Sequence, residues 1–178
     1  MNRHFEQVKK FHTAAGIEMP KVPTALKGGE LEVDIAFYEE LDNLATRMKQ
    51  VRNNPLLTRV GYVLEEMAEV INANHIEDQV DGLGDAMIYL LGTFTLMGVK
   101  PERIIDIIAA SNLGKIYPDG TVKRDEFGKI TKPDYWEDTY APEPLIIKEL
   151  ERQTRTANCK ICNGEIINDN WVFCACIE

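Results

Sequence analysis

Apolar residues recur every three or four positions through most of the first 113 residues, and glycine, proline and asparagine break that rhythm at intervals. Phe5, Val8, Phe11 and Ala15 predict a helix over Phe5–Ala15, ended by Gly16. A loop from Ile17 to Gly29 follows, then Leu31, Ile35, Tyr38, Leu41, Leu44 and Met48 predict a second helix over Leu31–Val51. Asn53, Asn54 and Pro55 mark a stop and a restart, with the proline in the first turn where its missing N–H costs nothing. A third helix is expected from Leu56 to Ala73, a fourth from about Glu77 to Met97, and a fifth, past Gly98 and Pro101, over Glu102–Leu113.

From Tyr117 to Lys132 the pattern changes. Turn signals at Asp119-Gly120 and Phe127-Gly128 flank Thr121–Arg124 and Lys129–Thr131, which predicts a small β-hairpin. Ala141–Pro144 reads as a linker to a short helix, and a cysteine-bearing tail closes the chain. The expected class is all-α: an antiparallel helix bundle with a small hairpin, residues 1–140, followed by a linker helix and tail, residues 141–178.

Composition narrows the function. A net charge of -9 on 178 residues leaves no basic face for a phosphate backbone or an anionic membrane, so stable nucleic-acid or membrane binding is not expected. A small phosphorylated ligand remains open, because a divalent cation bridges two anionic partners. Charges at Arg3, Glu6, Lys9 and Lys10 interrupt any apolar leader, and Ala86–Val99 is too short to span a bilayer. A cytoplasmic protein is expected.

The acidic residues carry the candidate chemistry. At about 100° per residue, Glu65, Glu66 and Glu69 fall within an arc of about 100°, with Leu57, Val60, Leu64, Met67, Val70 and Ile71 roughly opposite. Taken alone this is a solvated face of an amphipathic helix. On the fourth helix Asp78, Asp81 and Asp85 lie within about 60° of one another, just before a run, Ala86–Leu91 and on to Met97, that is apolar all round. Such a helix is expected to be buried on every side, which places Asp81 and Asp85 at the edge of an interior helix. A short turn at Asn74-His75 makes the two acidic helices antiparallel neighbours. Two carboxylates from each would suit Mg²⁺, which takes hard oxygen ligands and keeps positions open for substrate phosphates.

The pattern Glu-Glu-x-x-Glu on one helix, then an acidic pair ending in Gly84-Asp85 before an apolar run, resembles the all-α nucleoside triphosphate pyrophosphohydrolases, the MazG-like and phosphoribosyl-ATP pyrophosphohydrolase-like proteins. Arg59, the run Ser111-Asn112-Leu113-Gly114-Lys115 and the hairpin extend the resemblance over roughly Phe5–Trp136. The resemblance implies Glu66 and Glu69 as Mg²⁺ ligands joined by Asp85, with Glu65 as a further ligand or as the group that orients the attacking water. Where that family has Glu-x-x-Asp, this chain has Gly82, so either Asp81 substitutes from one residue away or Asp78 and Asp81 form the pair. The implied reaction is attack of water on the α-phosphorus, releasing pyrophosphate and a nucleoside monophosphate. Arg59, Asn112 and Lys115 are the candidates for phosphate and nucleotide contacts. A homo-oligomer, most simply a dimer, is implied as well.

The tail adds Cys159-x-x-Cys162 and Cys174-Ala175-Cys176, four thiols that read as a structural zinc knuckle pair, with reduced cysteines or a disulfide as the alternatives. His4, His12 and His75 form no ligand-spaced set, and His75 is expected to cap a helix or face solvent. Tyr135 and Trp136 either close over a base or anchor the hairpin, and the anchor is favoured. An alternative of a different class stands beside the enzyme: a non-catalytic helical module using its acidic face to bind a basic partner, with the zinc tail as a second surface.

Overall fold

The computed structural model describes residues 2–28 and 31–157, in which seven helices form: α1 (Asn2–Ala14), α2 (Leu31–Gln50), α3 (Pro55–Asn72), α4 (Ile76–Leu96), α5 (Glu102–Leu113), α6 (Trp136–Tyr140) and α7 (Pro142–Ala157). They gather into two compact units. One holds Pro20–Gly98; the other holds the described residues of Met1–Met19 and Val99–Glu178. The four cysteines lie outside the described residues. No helix among the described residues is long and apolar enough to cross a membrane.

In the Pro20–Gly98 unit, α3 packs against α2 on one side and α4 on the other. Its start is fixed locally. Asn53 takes a left-handed backbone (φ 57°), the Asn54 side chain accepts a hydrogen bond from the Leu57 N–H at 3.0 Å, and Pro55 fills the first turn. The seams on both sides of α3 are built from small residues. A Cβ on Gly61 would stand 3.0 Å from the Ala45 carbonyl oxygen, and one on Gly82 would stand 2.8 Å from Val70 Cγ2 and 3.2 Å from the Glu66 carbonyl oxygen. Ala45 and Ala68 are fully buried beside them. With no side-chain bulk between them, the three backbones approach closely.

One expectation fails here. The run from Ala86 to Met97 is not buried on every side: Ala86 is, whereas Met87, Ile88, Leu90, Leu96 and Met97 are exposed, Ile88 by 64%. Within its unit α4 has extensive packing with α3 alone, so one helix covers one face and the remaining apolar circumference has no neighbour there.

In the other unit α5 packs with both α1 and α7. Arg3 and His4 reach Asp106 at 2.7 and 2.8 Å, and on α7 the buried Glu149 carboxylate accepts from Arg152 at 2.8 and 2.6 Å and from Gln153 at 2.9 Å. That carboxylate is held below the ordinary glutamate range, mainly by the Arg152 hydrogen bonds. Two expectations need correction. The segment after Tyr117 turns like a hairpin, but among the described residues it forms one isolated bridge, Arg124 with Ile130, rather than a pair of strands. Asp119 and Asp125 bond to the backbone of Thr121, Phe127 and Lys129, and these local turns compete with a ladder. The segment read as a linker is helical from Pro142 onward. Its two prolines sit in the first turn of α7, where their missing N–H groups have no helical partner to lose.

The two glycines of α4 separate packing from propensity. Gly82→Ala forces a methyl group against backbone and should cost about 1–3 kcal/mol. Gly84 has open space around a Cβ, so Gly84→Ala should be neutral or add up to about 1 kcal/mol of stability. Urea unfolding of both variants checks the pair, and equal effects would contradict the close seam.

Candidate active site

Glu65, Glu66 and Glu69 stand on α3, and Asp81 and Asp85 on α4. Their burial reverses the order expected from the pattern. Glu66 is 8% exposed and is the most deeply buried of the five, whereas Asp81, Asp85 and Glu69 are exposed and Glu65 is half-buried. Asp81 and Asp85 face solvent because α4 lacks the second neighbour that would have enclosed them. Glu66 stands at the α3–α4 seam, its backbone carbonyl beside the close approach at Gly82.

Burial raises the Glu66 pKa above the ordinary glutamate value, and the charges of Glu69, Asp85, Glu65 and Asp81 raise it further. From α4, Asp81 and Asp85 both act on Glu66 together with the α3 acids. No hydrogen bond or ion pair to a described residue relieves Glu66. Nor do the described residues include a group of three histidine, cysteine or acidic side chains already arranged to hold a metal ion. The five acids therefore form a field of negative charge around a buried carboxylate rather than an assembled cage. Their chemistry, oxygen donors that outnumber the cations beside them, fits a hard divalent cation.

Gly82 leaves no room for a larger side chain. Its position faces the Glu66 backbone and Val70, so a glutamate there would have to push the helices apart. Asp81, the next position toward the N-terminus, is exposed.

A cation that the sequence reading missed stands at this face. Lys49, in the last turn of α2, places Nζ 2.5 Å from a Glu65 carboxylate oxygen, and its stem crosses the bare backbone of Gly61. Gly61 lies one helical turn before Glu65, and its missing side chain lets the Lys49 stem pass to that carboxylate.

Arg59 is occupied elsewhere. Its guanidinium lies 5.6 Å from the Tyr62 ring centre and 5.4 Å from that of Tyr89, while Nε donates to Thr93 Oγ1 at 3.1 Å and Nη2 to the Tyr89 carbonyl. The two rings stack at 5.0 Å, and Gly92 leaves room for the guanidinium. Arg59 thus ties α3 to α4. Asn112 and Lys115 belong to the other unit, where Lys115 Nζ donates to Asn112 Oδ1 at 2.8 Å. Trp136 anchors rather than caps a base: it is buried, and its indole N–H donates to the Ser111 carbonyl at 2.9 Å. His75 makes no capping hydrogen bond and is exposed. A cleft of about 670 Å³ opens in the Pro20–Gly98 unit among Leu26, Ile35, Met67, Ile71, Val80 and Leu83, and none of the five acids lines it. Its rim is secured by the Gln79 carboxamide, which bonds to both the N–H and the carbonyl of Leu26.

Residues 36–112 match the model of the phosphoribosyl-ATP pyrophosphohydrolase family. The fold is shared with a solved structure at 1.78 Å from Exiguobacterium sp. 255-15, described as a candidate NTP pyrophosphohydrolase. The TM-score is 0.55 at 24% identity, over 85% of this chain and 96% of that one. No curated protein matches the chain. The family match covers less than half of the chain, and the likeness to the solved structure is one of fold.

Two measurements probe this geometry. Because the folded pKa of Glu66 lies above its unfolded value, the folded state holds the proton more tightly. The stability associated with that proton is fully present below the ordinary glutamate range and is lost as pH rises through the raised folded value. Glu66→Gln in metal-free buffer should therefore raise the melting temperature at pH 7–8, and the gain should vanish near pH 4. Arg59→Lys loses the planar fork held beside two stacked rings, and a urea midpoint should report a loss of about 1–3 kcal/mol.

Proposed function

We propose that the chain hydrolyses a nucleoside triphosphate, or a related nucleotide, to the monophosphate and pyrophosphate in a Mg²⁺-dependent reaction. One observation carries the reading. A buried carboxylate, Glu66, is surrounded by four more carboxylates whose charge it shares without a cationic partner of its own. A fold maintains such an arrangement at a cost in stability, which a bound cation would offset. Glu66, Glu69, Asp81 and Asp85 would hold Mg²⁺, which when bound polarises phosphoryl oxygens and lowers the pKa of a coordinated water.

In the hydrolysis, a water oxygen bonds to the α-phosphorus and the bond from that phosphorus to the bridging oxygen breaks. The electron pair leaves on pyrophosphate, and the proton of the water passes to a carboxylate. Glu65, held by Lys49, would orient that water, and the ion pair limits the rotamers it samples. Lys115 and Asn112, within their own unit, are candidates for binding nucleotide phosphates, and Arg59 acts by holding α3 and α4 in register rather than by touching phosphate.

The exposed apolar side of α4 supports a homodimer. Met87, Ile88 and Leu90 form a surface that a second copy would cover, as two antiparallel helix pairs do in a bundle. The cysteine tail, as a zinc knuckle, would stand apart from this chemistry.

Release of pyrophosphate from a panel of nucleoside triphosphates with Mg²⁺ tests the reading, phosphoribosyl-ATP included. Turnover of at least one member is expected. No turnover, with no Mg²⁺ effect on the melting temperature, would sink it in favour of an acidic binding module. Glu69→Gln should lower kcat at least about 100-fold, the scale of a lost metal ligand or transition-state contact, while circular dichroism shows the fold retained.

A further inference from the structure

Beyond the acidic helices, the Val99–Glu178 unit gathers positive charge where α5 ends. Lys115 is half-buried, donates to Asn112 Oδ1, and has no ion pair with a described carboxylate. Lys132 returns on the far limb of the hairpin-shaped loop, with Nζ 3.6 Å from the centre of the Trp136 ring and 3.5 Å from the carboxylate of the exposed Glu137. Burial first, and then the charge of Lys132, push the Lys115 pKa below the ordinary lysine value. Two ammonium groups are thus held within reach of each other's field, and only the outer one has a carboxylate, at the limit of a weak exposed pair.

The base beneath them is fixed. Trp136 is buried and bonded to Ser111, and Gly114 lies flush against the Tyr140 ring, where a Cβ would stand 2.4 Å from a ring carbon. The donors are also of one kind. Asn112 spends its carbonyl oxygen on Lys115, which leaves its Nδ2 hydrogens without a described partner beside the remaining N–H groups of both lysines. On a chain of net charge -9, a rigid cluster of N–H donors with a single exposed carboxylate at its rim among the described residues is an electrostatic exception.

We propose that Lys132 joins Lys115 and Asn112 in a cradle for a polyphosphate chain, with the indole of Trp136 fixing the position of the Lys132 ammonium. The phosphates are those of a nucleoside triphosphate, an assignment that rests on the hydrolase reading; the cradle itself rests on the lysine geometry.

The test uses the full chain carrying Trp171→Phe, which leaves Trp136 as the single tryptophan of the two in the sequence. Inorganic tripolyphosphate is titrated in metal-free buffer with chelator, followed by Trp136 emission and by calorimetry. Saturable binding is expected, weakened at least tenfold by Lys132→Gln and by Lys115→Gln and unchanged by Lys100→Gln, with melting curves confirming that each variant is folded. Absence of saturable binding, or equal binding by the Lys115→Gln/Lys132→Gln double variant, overturns the cradle. A non-hydrolysable nucleoside triphosphate that binds more tightly than tripolyphosphate supports the nucleotide assignment, and one that binds no more tightly overturns it. Lysine-dependent binding with no turnover in the substrate panel would refute the hydrolase reading and leave the cradle standing.

Discussion

The contact on which the Pro20–Gly98 unit depends is backbone against backbone at the two seams of α3. Gly61 opposite Ala45, and Gly82 opposite Glu66 and Val70, remove the side chains that would hold the helices apart. Close approach then has an electrostatic result. With α3 and α4 at that separation, acids on both helices act on one buried carboxylate, and at a wider separation their fields would be screened by water. The seam that builds the scaffold therefore also concentrates its charge.

Around that seam the cations are distributed unevenly. Arg59 is committed to two tyrosine rings, a threonine hydroxyl and a backbone carbonyl, so it serves the packing of α3 on α4. Lys49 is committed to Glu65, at the edge of the acidic group rather than at its buried member. Glu66 is left with repulsion alone from its acidic neighbours. A fold stabilised only for its own sake would protonate, pair or replace such a residue. Its presence beside four carboxylates is what supports the proposed chemical reading of the acidic face.

Much of this was legible in the chain. Helical periodicity locates α1 to α5 to within a few residues, because capping and proline signals at Asn54, Pro55 and Pro101 coincide with the ends of apolar stripes. The acidic set is legible as well, since spacing alone puts Glu65, Glu66 and Glu69 on one arc. Burial was not. Periodicity reports which residues avoid water, but not how many neighbours a helix has, and so α4 was expected inside when α3 alone packs along it within its unit. The same limit inverted the order of Glu66 and Asp85. Lys49 escaped because its role depends on the register of two helices rather than on its own neighbourhood. The bridge at Arg124 and Ile130 fell short of a hairpin because turn-forming aspartates look alike in sequence whether they end a strand or replace it.

The seams also set how this protein tolerates change over generations. Positions such as Gly61 and Gly82 can drift in no direction but larger, and every enlargement meets backbone, so they are nearly closed to variation. The exposed acids touch no such wall. Their side chains can be exchanged with little effect on the scaffold, which makes the chemistry of this face evolvable while its frame is not. A descendant chain that lost its acids would keep the same three-helix layer, and inheritance of the fold would by itself say little about inheritance of the activity.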